Sequence, residues 1–285
     1  MSTADELLRK FNNVKTIPHV AIQLTRLISD PDSSMRDFES IIKMDPTLVL
    51  RLLKVVNSTY YGLRKKVDSI SRAVVIIGTN NLRNMIATEA LKDIFKAGSE
   101  EACFSRKRLW LHSAAVAVCG QMIAERIFSQ NAEDVFLCGI LHDIGMIVED
   151  QTANTDFMAA VNAYTPGGEP ITAFETAYVG TDHCMVGHLV ARDWKLPPDV
   201  QEGIKNHHGL FEEITPSSMT GIIQMAEYLT AKMDFKALPE MQLRLSSPLV
   251  AHMRENIDEY KVLIKDLPTA MSSAKELYEM SEESA

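Results

Sequence analysis

The chain has 285 residues, 46% hydrophobic and 24% charged, which gives room for a large buried core and the profile of a soluble globular protein. Its formal net charge of −9 opposes broad attachment to nucleic acid or anionic lipid. The basic clusters Arg64-Lys65-Lys66 and Arg106-Lys107-Arg108 are short and fit solvated helix ends better than a binding stripe.

Nearly every segment reads as helix. Thr3 and Glu6 form a capping box ahead of Leu7, Leu8 and Phe11. Pro18 suits the first turn of a helix carrying Ile22, Leu24, Leu27 and Ile28, which stops near Asp30-Pro31. Ser34 and Asp37 repeat the capping pattern before Phe38, Ile41 and Ile42. Asp45-Pro46 opens a helix with Leu48, Leu52, Leu53 and Val56, closed by Asn57-Ser58, which read as C-capping residues. Thr79 caps a helix with Leu82, Met85, Ile86 and Leu91. The polar stretch Ala97-Gly-Ser-Glu-Glu-Ala102 marks the best boundary. Three parts are expected: a helical N-terminal lobe over 1–98, a helical metal-binding core over 99–235 and a C-terminal helical extension over 236–285.

The second part opens with a long helix from about Arg106 to Phe128, striped by Leu109, His112, Val116, Cys119 and Ile123. An apolar helix follows and carries the adjacent pair His142-Asp143 at its buried end. The region Asn154 to Gly180 is weaker, interrupted by Pro166-Gly167-Gly168. A helix from about His183 to Trp194 and then Leu196-Pro197-Pro198 come next, with Val200, Ile204, His207 and Phe211 sharing one face. A helix over about Ser217 to Met233 carries Glu227. Amphipathic helices complete the chain up to a frayed acidic end, Ser281 to Ala285. No alternating strand and no internal repeat stands out, so the fold class is all-α.

Cys103, Cys119, Cys138 and Cys184 lack CxxC spacing and sit among apolar residues, as buried free thiols of a reducing compartment do. No apolar run approaches about 18 residues and no signal-peptide pattern opens the chain. A cytoplasmic protein that reaches no membrane on its own is expected.

The chemistry lies in His112, His142, Asp143, His183, His207, His208 and Glu227. Burying an unpaired carboxylate costs several kcal/mol, so Asp143 needs compensation. A divalent transition metal shared with ligands from other helices would supply it, and imidazole with carboxylate suits Zn, Fe, Mn, Ni or Co. Each residue also has a plainer reading. His112 could be a hydrogen-bonded core histidine, His207-His208 a helix C-cap before Gly209, and Glu227 part of a solvated face. Taken together they favour a metal site, because each buried member would otherwise need its own partner.

His112, the pair in Gly139-Ile-Leu-His-Asp-Ile-Gly145, His183 and His207-His208 resemble the metal motif of the HD superfamily of phosphohydrolases. Asp45-Pro46, Asn57-Ser58 with Tyr61-Gly62, Ile77-Gly78, Arg83-Asn84, and Glu175 through Trp194-Lys-Leu-Pro197 resemble the HDOD family, over roughly residues 10–235. That resemblance implies an HD-like helical core with a helical N-terminal lobe, and a bacterial signalling or regulatory role exercised through a protein partner. Many HDOD proteins have lost HD ligands, whereas this chain keeps His112, His142, Asp143, His183 and His207. The last metal position, normally Asp, falls at Glu227.

The alternative is a metal-dependent phosphohydrolase acting on a nucleotide or phosphate ester through one or two ions (Fe, Mn, Ni or Zn). His142 and Asp143 would then be catalytic, and Arg108 or Lys205 would clamp phosphate. The chain lacks the Pro/Lys-rich loop and signature of the HD-GYP cyclic dinucleotide phosphodiesterases. Nucleic-acid binding ranks last, since no helix-turn-helix signal accompanies the acidic balance.

Overall fold

The structure, a computed structural model, describes residues 3–14, 34, 37, 42, 49, 53, 56, 57, 67, 69–78 and 103–279. Among the described residues there are helices and no strand. In chain order they are α1 (Thr3–Val14), α2 (Ile70–Ile77), α3 (Arg106–Arg126), α4 (Glu133–Leu141), α5 (Ile144–Thr152) and α6 (Asn154–Ala163). Then come α7 (Ile171–Tyr178), α8 (His183–Asp193), α9 (Pro198–Asn206), α10 (Met219–Lys232), α11 (Ser247–Glu255) and α12 (Ile257–Glu279). The helices expected after Pro18 and after Thr79, and the boundary at 97–102, lie outside the described residues.

Two short-range readings of the first hundred residues have direct counterparts. The Asp37 carboxylate accepts from the Ser34 amide at 2.8 Å, the return bond of a capping box, and also from the Ser34 hydroxyl at 2.6 Å. The Asn57 side chain donates to the Leu53 carbonyl at 2.6 Å, closing the end of that helix. It also donates to the Val67 carbonyl and accepts the Val67 amide, each at 2.7 Å, so it ties residue 67 to the helix end as well. Ser58 lies outside the described residues.

The long helix α3 forms where the apolar stripe predicted it, and Leu109, His112, Val116, Cys119 and Ile123 are all buried. It packs against α4, α10 and α12. Helix α8 packs against α5 and α9, and α1 lies across α5 and α8, with Leu7 and Phe11 in the same apolar cluster. A buried ion pair between Arg106 at the start of α3 and Asp150 on α5 links the two groups. Asn154 Nδ2 donates to the second Asp150 oxygen at 2.7 Å.

Two glycines set how closely these helices approach. A Cβ on Gly139 of α4 would sit 2.5 Å from Ala117 Cα of α3. A Cβ on Gly145 of α5 would sit 2.0 Å from the His183 carbonyl oxygen at the start of α8. Both obstacles are backbone atoms, which cannot rotate away, so each contact requires the missing side chain.

Three sequence expectations are refined. The pair His142-Asp143 does not lie within one helix but at the break between α4 and α5. The weak region after Asn154 is two helices, α6 and α7, separated at Pro166-Gly167-Gly168. Phe211 does not share the buried face of Val200, Ile204 and His207; it is 44% exposed, because α9 ends at Asn206 and the chain turns away.

Gly145→Ala should therefore destabilise the fold by about 3 kcal/mol or more, the upper range for overpacking. Urea unfolding should show the midpoint falling with an unchanged slope. A variant with wild-type midpoint would contradict this crossing.

Candidate metal centre

Two helices end on a histidine of the site, and they end in the same way. His142 follows the last residue of α4 and its Nδ1 lies 2.7 Å from the Gly139 carbonyl. His207 follows the last residue of α9 and its Nδ1 lies 2.7 Å from the Ile204 carbonyl. The last carbonyls of a helix lack an intrahelical donor, so each imidazole satisfies one and is locked in the process. His112, in the middle of α3, has Nδ1 2.9 Å from the Phe235 carbonyl. His183 opens α8, and Glu175 Oε2 accepts from both its Nδ1 at 2.6 Å and its amide at 3.1 Å.

Every Nδ1 partner is an acceptor, so each of these rings carries its proton on Nδ1, and a neutral ring presents a bare Nε2. Those nitrogens converge. His112 Nε2 and His142 Nε2 are 3.1 Å apart; His183 Nε2 and His207 Nε2 are 3.2 Å apart. Between the pairs lies Asp143, fully buried, with neither oxygen in a hydrogen bond. One oxygen is 3.3 Å from Nε2 of both His112 and His142, and the other is 3.4 Å from Nε2 of both His183 and His207. Lone pairs facing lone pairs across about 3 Å repel unless a cation stands among them.

The donors fall into two groups, each with its ligand atoms within 4.8 Å of one another: His112, His142 and Glu227, and Asp143, His183, His207 and His208. Glu227 is buried on α10 with Oε1 lacking a partner; His208 is half-buried with Nε2 lacking one. All seven sequence candidates are thus brought together, and the residues fit one or two divalent ions. Glu227 does not lie on a solvated face, because its side of α10 is turned toward α3 and α4.

The electrostatics point the same way. Burial pushes the Asp143 carboxyl up, yet the His142 charge and the facing His112 and His207 imidazoles outweigh it and hold it well below its ordinary range. Burial opposes charging of His112, His183 and His207, but Asp143 and Glu227 raise His112, Cys184 and Glu175 raise His183, and Cys184, Asp143 and Glu227 raise His207. His208 is held well below its ordinary value by burial and by the charges of His207 and His183. The cavity favours positive charge at its centre and disfavours it at its rim.

Sequence reasoning left three residues out of the site. Glu175, fully buried, fixes the orientation of His183. Glu149 on α5 is buried with both oxygens unpartnered, and burial together with Glu175 raises its carboxyl well above the usual range. The Cys184 sulfur lies 3.6 Å from His183 Nε2 and beside the His207 ring, 3.8 Å from Nδ1 and 3.9 Å from Nε2. The available signal for the carboxylates was an acidic residue inside an apolar helical stretch, at Ile147-Val148-Glu149 and Ala173-Phe174-Glu175.

The HDOD domain model matches residues 14–210. The chain belongs to the HDOD family. An uncharacterized protein from Treponema pallidum (strain Nichols) is 26% identical over 208 residues, 73% of this chain; the chain spans only 40% of that relative's length. Among solved structures, an HDOD domain protein of unknown function from Geobacter sulfurreducens is 23% identical with a TM-score of 0.67, covering 92% of this chain and 97% of its own. A protein from Shewanella amazonensis SB2B named as a candidate phosphohydrolase is 24% identical with a TM-score of 0.69, covering 95% and 97%. A protein from Marinobacter aquaeolei VT8 named for a proposed role in signal transduction is 16% identical with a TM-score of 0.72, covering 92% of this chain and 59% of its own. At these identities the likeness is one of fold, and it agrees with the all-helical architecture. Among the described residues no helix is long and apolar enough to cross a membrane.

Glu175→Ala should lower metal affinity about 10- to 100-fold, the usual cost of removing a group that orients a ligating histidine, and Glu175→Gln should recover part of it. Calorimetric titration would measure both. Protons and metal compete for the same Nε2 atoms, and the raised values of His183 and His207 favour the proton. Affinity should therefore decline as pH falls through those raised values, beginning above the ordinary histidine range near 6.5. A decline confined to more acidic pH would contradict the electrostatics.

Proposed function

We propose that this HDOD protein is a bacterial signal-transduction component whose working part is a divalent-metal centre of the HD type. The observation that carries the reading is the convergence of four Nδ1-protonated imidazoles on the two unpartnered oxygens of Asp143. His112, His142, Glu227 and one Asp143 oxygen would hold one ion; His183, His207, His208 and the other oxygen would hold a second. The metal would be Fe, Mn, Ni or Zn, and the signal would pass through a protein partner in the cytoplasm.

A second reading, hydrolysis of a nucleotide or phosphate ester, has its own support. One carboxylate spanning two donor groups is the arrangement of two-metal hydrolases, whose ions activate water and polarise a phosphoryl oxygen. The chain's own part is to hold the donors rigid from behind through Gly139, Ile204, Phe235 and Glu175, and to receive the phosphate. Arg108 stands one turn before His112 on α3, half-buried, with Nη1 buried and without a hydrogen-bond partner. A guanidinium N–H so placed can donate to a phosphate oxygen. Lys205 is exposed on α9 and offers no such atom.

Elemental analysis of protein purified without chelators, beside a His142→Ala/Asp143→Ala variant of matched helicity, tests the first reading. Near-stoichiometric metal lost in the variant is expected; equal emptiness of both folded proteins would end it. Metal-loaded protein is then assayed against nucleotides and phosphodiesters. If it hydrolyses one, Arg108→Ala should raise KM about tenfold or more with metal content unchanged.

A further inference from the structure

We propose that Gln224 is a positioning residue of the metal centre, which fixes the turn carrying His208 and so sets His208 Nε2 beside Asp143, His183 and His207. The inference rests on the metal-centre reading above and adds a residue that touches no ion. Gln224 lies on α10 three positions before Glu227, so the two share one face of that helix. Its side chain is buried, and Nε2 donates to the carbonyl oxygens of Asn206 at 3.1 Å and of Gly209 at 2.7 Å. Those two residues flank the His207-His208 pair. One amide group thus clasps the turn on both sides of two candidate ligands.

The direction of that amide is set by its partners. An NH2 group carries two donors and can serve both carbonyls, whereas the reverse orientation would press Oε1 against two acceptors. Oε1 is left buried and without a partner. An ordinary core position avoids such an unpaired polar atom, and here the two carbonyls served by Nε2 offset it. The turn they belong to is tight. The Gly209 amide donates to the Asn206 carbonyl at 2.9 Å, and a Cβ on Gly209 would fall 3.2 Å from that carbonyl oxygen and 2.2 Å from the Phe211 ring.

His208 is the member of the centre that most needs this support. His112, His142, His183 and His207 are each held from behind through Nδ1, by a carbonyl or by Glu175. His208 packs by its ring, with its centroid 4.3 Å from that of His207 and 5.0 Å from that of His183, and its buried Nε2 has no partner. Ring packing restrains a side chain less directionally than a hydrogen bond does. A ligand on a turn is also placed less well than one on a helix unless its support is rigid. The backbone clasped by Gln224 therefore decides where His208 Nε2 lies.

Zinc titration of the chelator-stripped full chain tests this in a double-mutant cycle of Gln224→Met and His208→Ala. Methionine matches glutamine in length and removes the donor. Gln224→Met alone should weaken zinc binding about 10- to 100-fold, the usual cost of losing a group that orients a ligand. In the His208→Ala background the same change should cost no more than about twofold, the scatter of independent sites. An equal loss in both backgrounds would assign Gln224 a merely structural role and overturn the proposal, as would wild-type affinity in Gln224→Met. A measurement on wild type needs no variant to fold: zinc should shift the Gln224 side-chain amide resonance and slow its exchange with solvent. An amide signal indifferent to bound zinc would overturn the proposal while leaving the metal centre standing. Wild-type protein that takes up no zinc would overturn both.

Discussion

A carboxylate sits in the middle of this protein with nothing to hydrogen-bond. Asp143 is fully buried, and the groups nearest its oxygens are four imidazole nitrogens on four different helical segments. Burying such a group without compensation costs several kcal/mol, so the surrounding arrangement has to answer that cost. Among the protein's own groups imidazolium charge answers it, which is why burial fails to raise Asp143 and why Asp143 in turn helps push His112 and His207 up. A divalent cation would answer it better, because it satisfies both carboxylate oxygens and all the nitrogens together.

The scaffold works from behind the ligands. Helix ends do much of it: α4 and α9 each terminate on a histidine that closes its own last turn through Nδ1 and so can only offer Nε2 forward. The same interaction that caps the helix sets the tautomer. Gly139 and Gly145 let α4 approach α3 and let α5 approach α8 at backbone distance, which brings His142 beside His112 and Asp143 beside His183. Arg106 and Asp150 then fasten α3 to α5 through a buried ion pair, in which either charge alone would be costly. Local capping, close crossings and a buried charge pair thus all bear on one cavity.

An outer layer of carboxyl groups completes the picture. Glu175 holds His183 by ring and amide, and burial together with the nearby Glu175 raises the Glu149 carboxyl.

Much of this could be read from the residues alone. Apolar spacing at Leu109, His112, Val116 and Cys119 determined a buried helix with a histidine on its inner stripe, and Asp-Pro, Gly and capping signals determined where helices begin and end. The adjacency of His142 and Asp143 was legible too, because a charged pair at the close of an apolar run has few other uses. Side-chain direction was not. Whether Glu227 faces solvent or the core depends on which neighbour α10 packs against, and that neighbour is α3, more than a hundred residues earlier in the chain. Glu149 and Glu175 carry no spacing signature, since each gains its role only through a residue on another element. Periodicity and capping are short-range physics and are written into sequence. The meeting of donors from separate helices is decided by how those helices cross, and only the tertiary structure carries that.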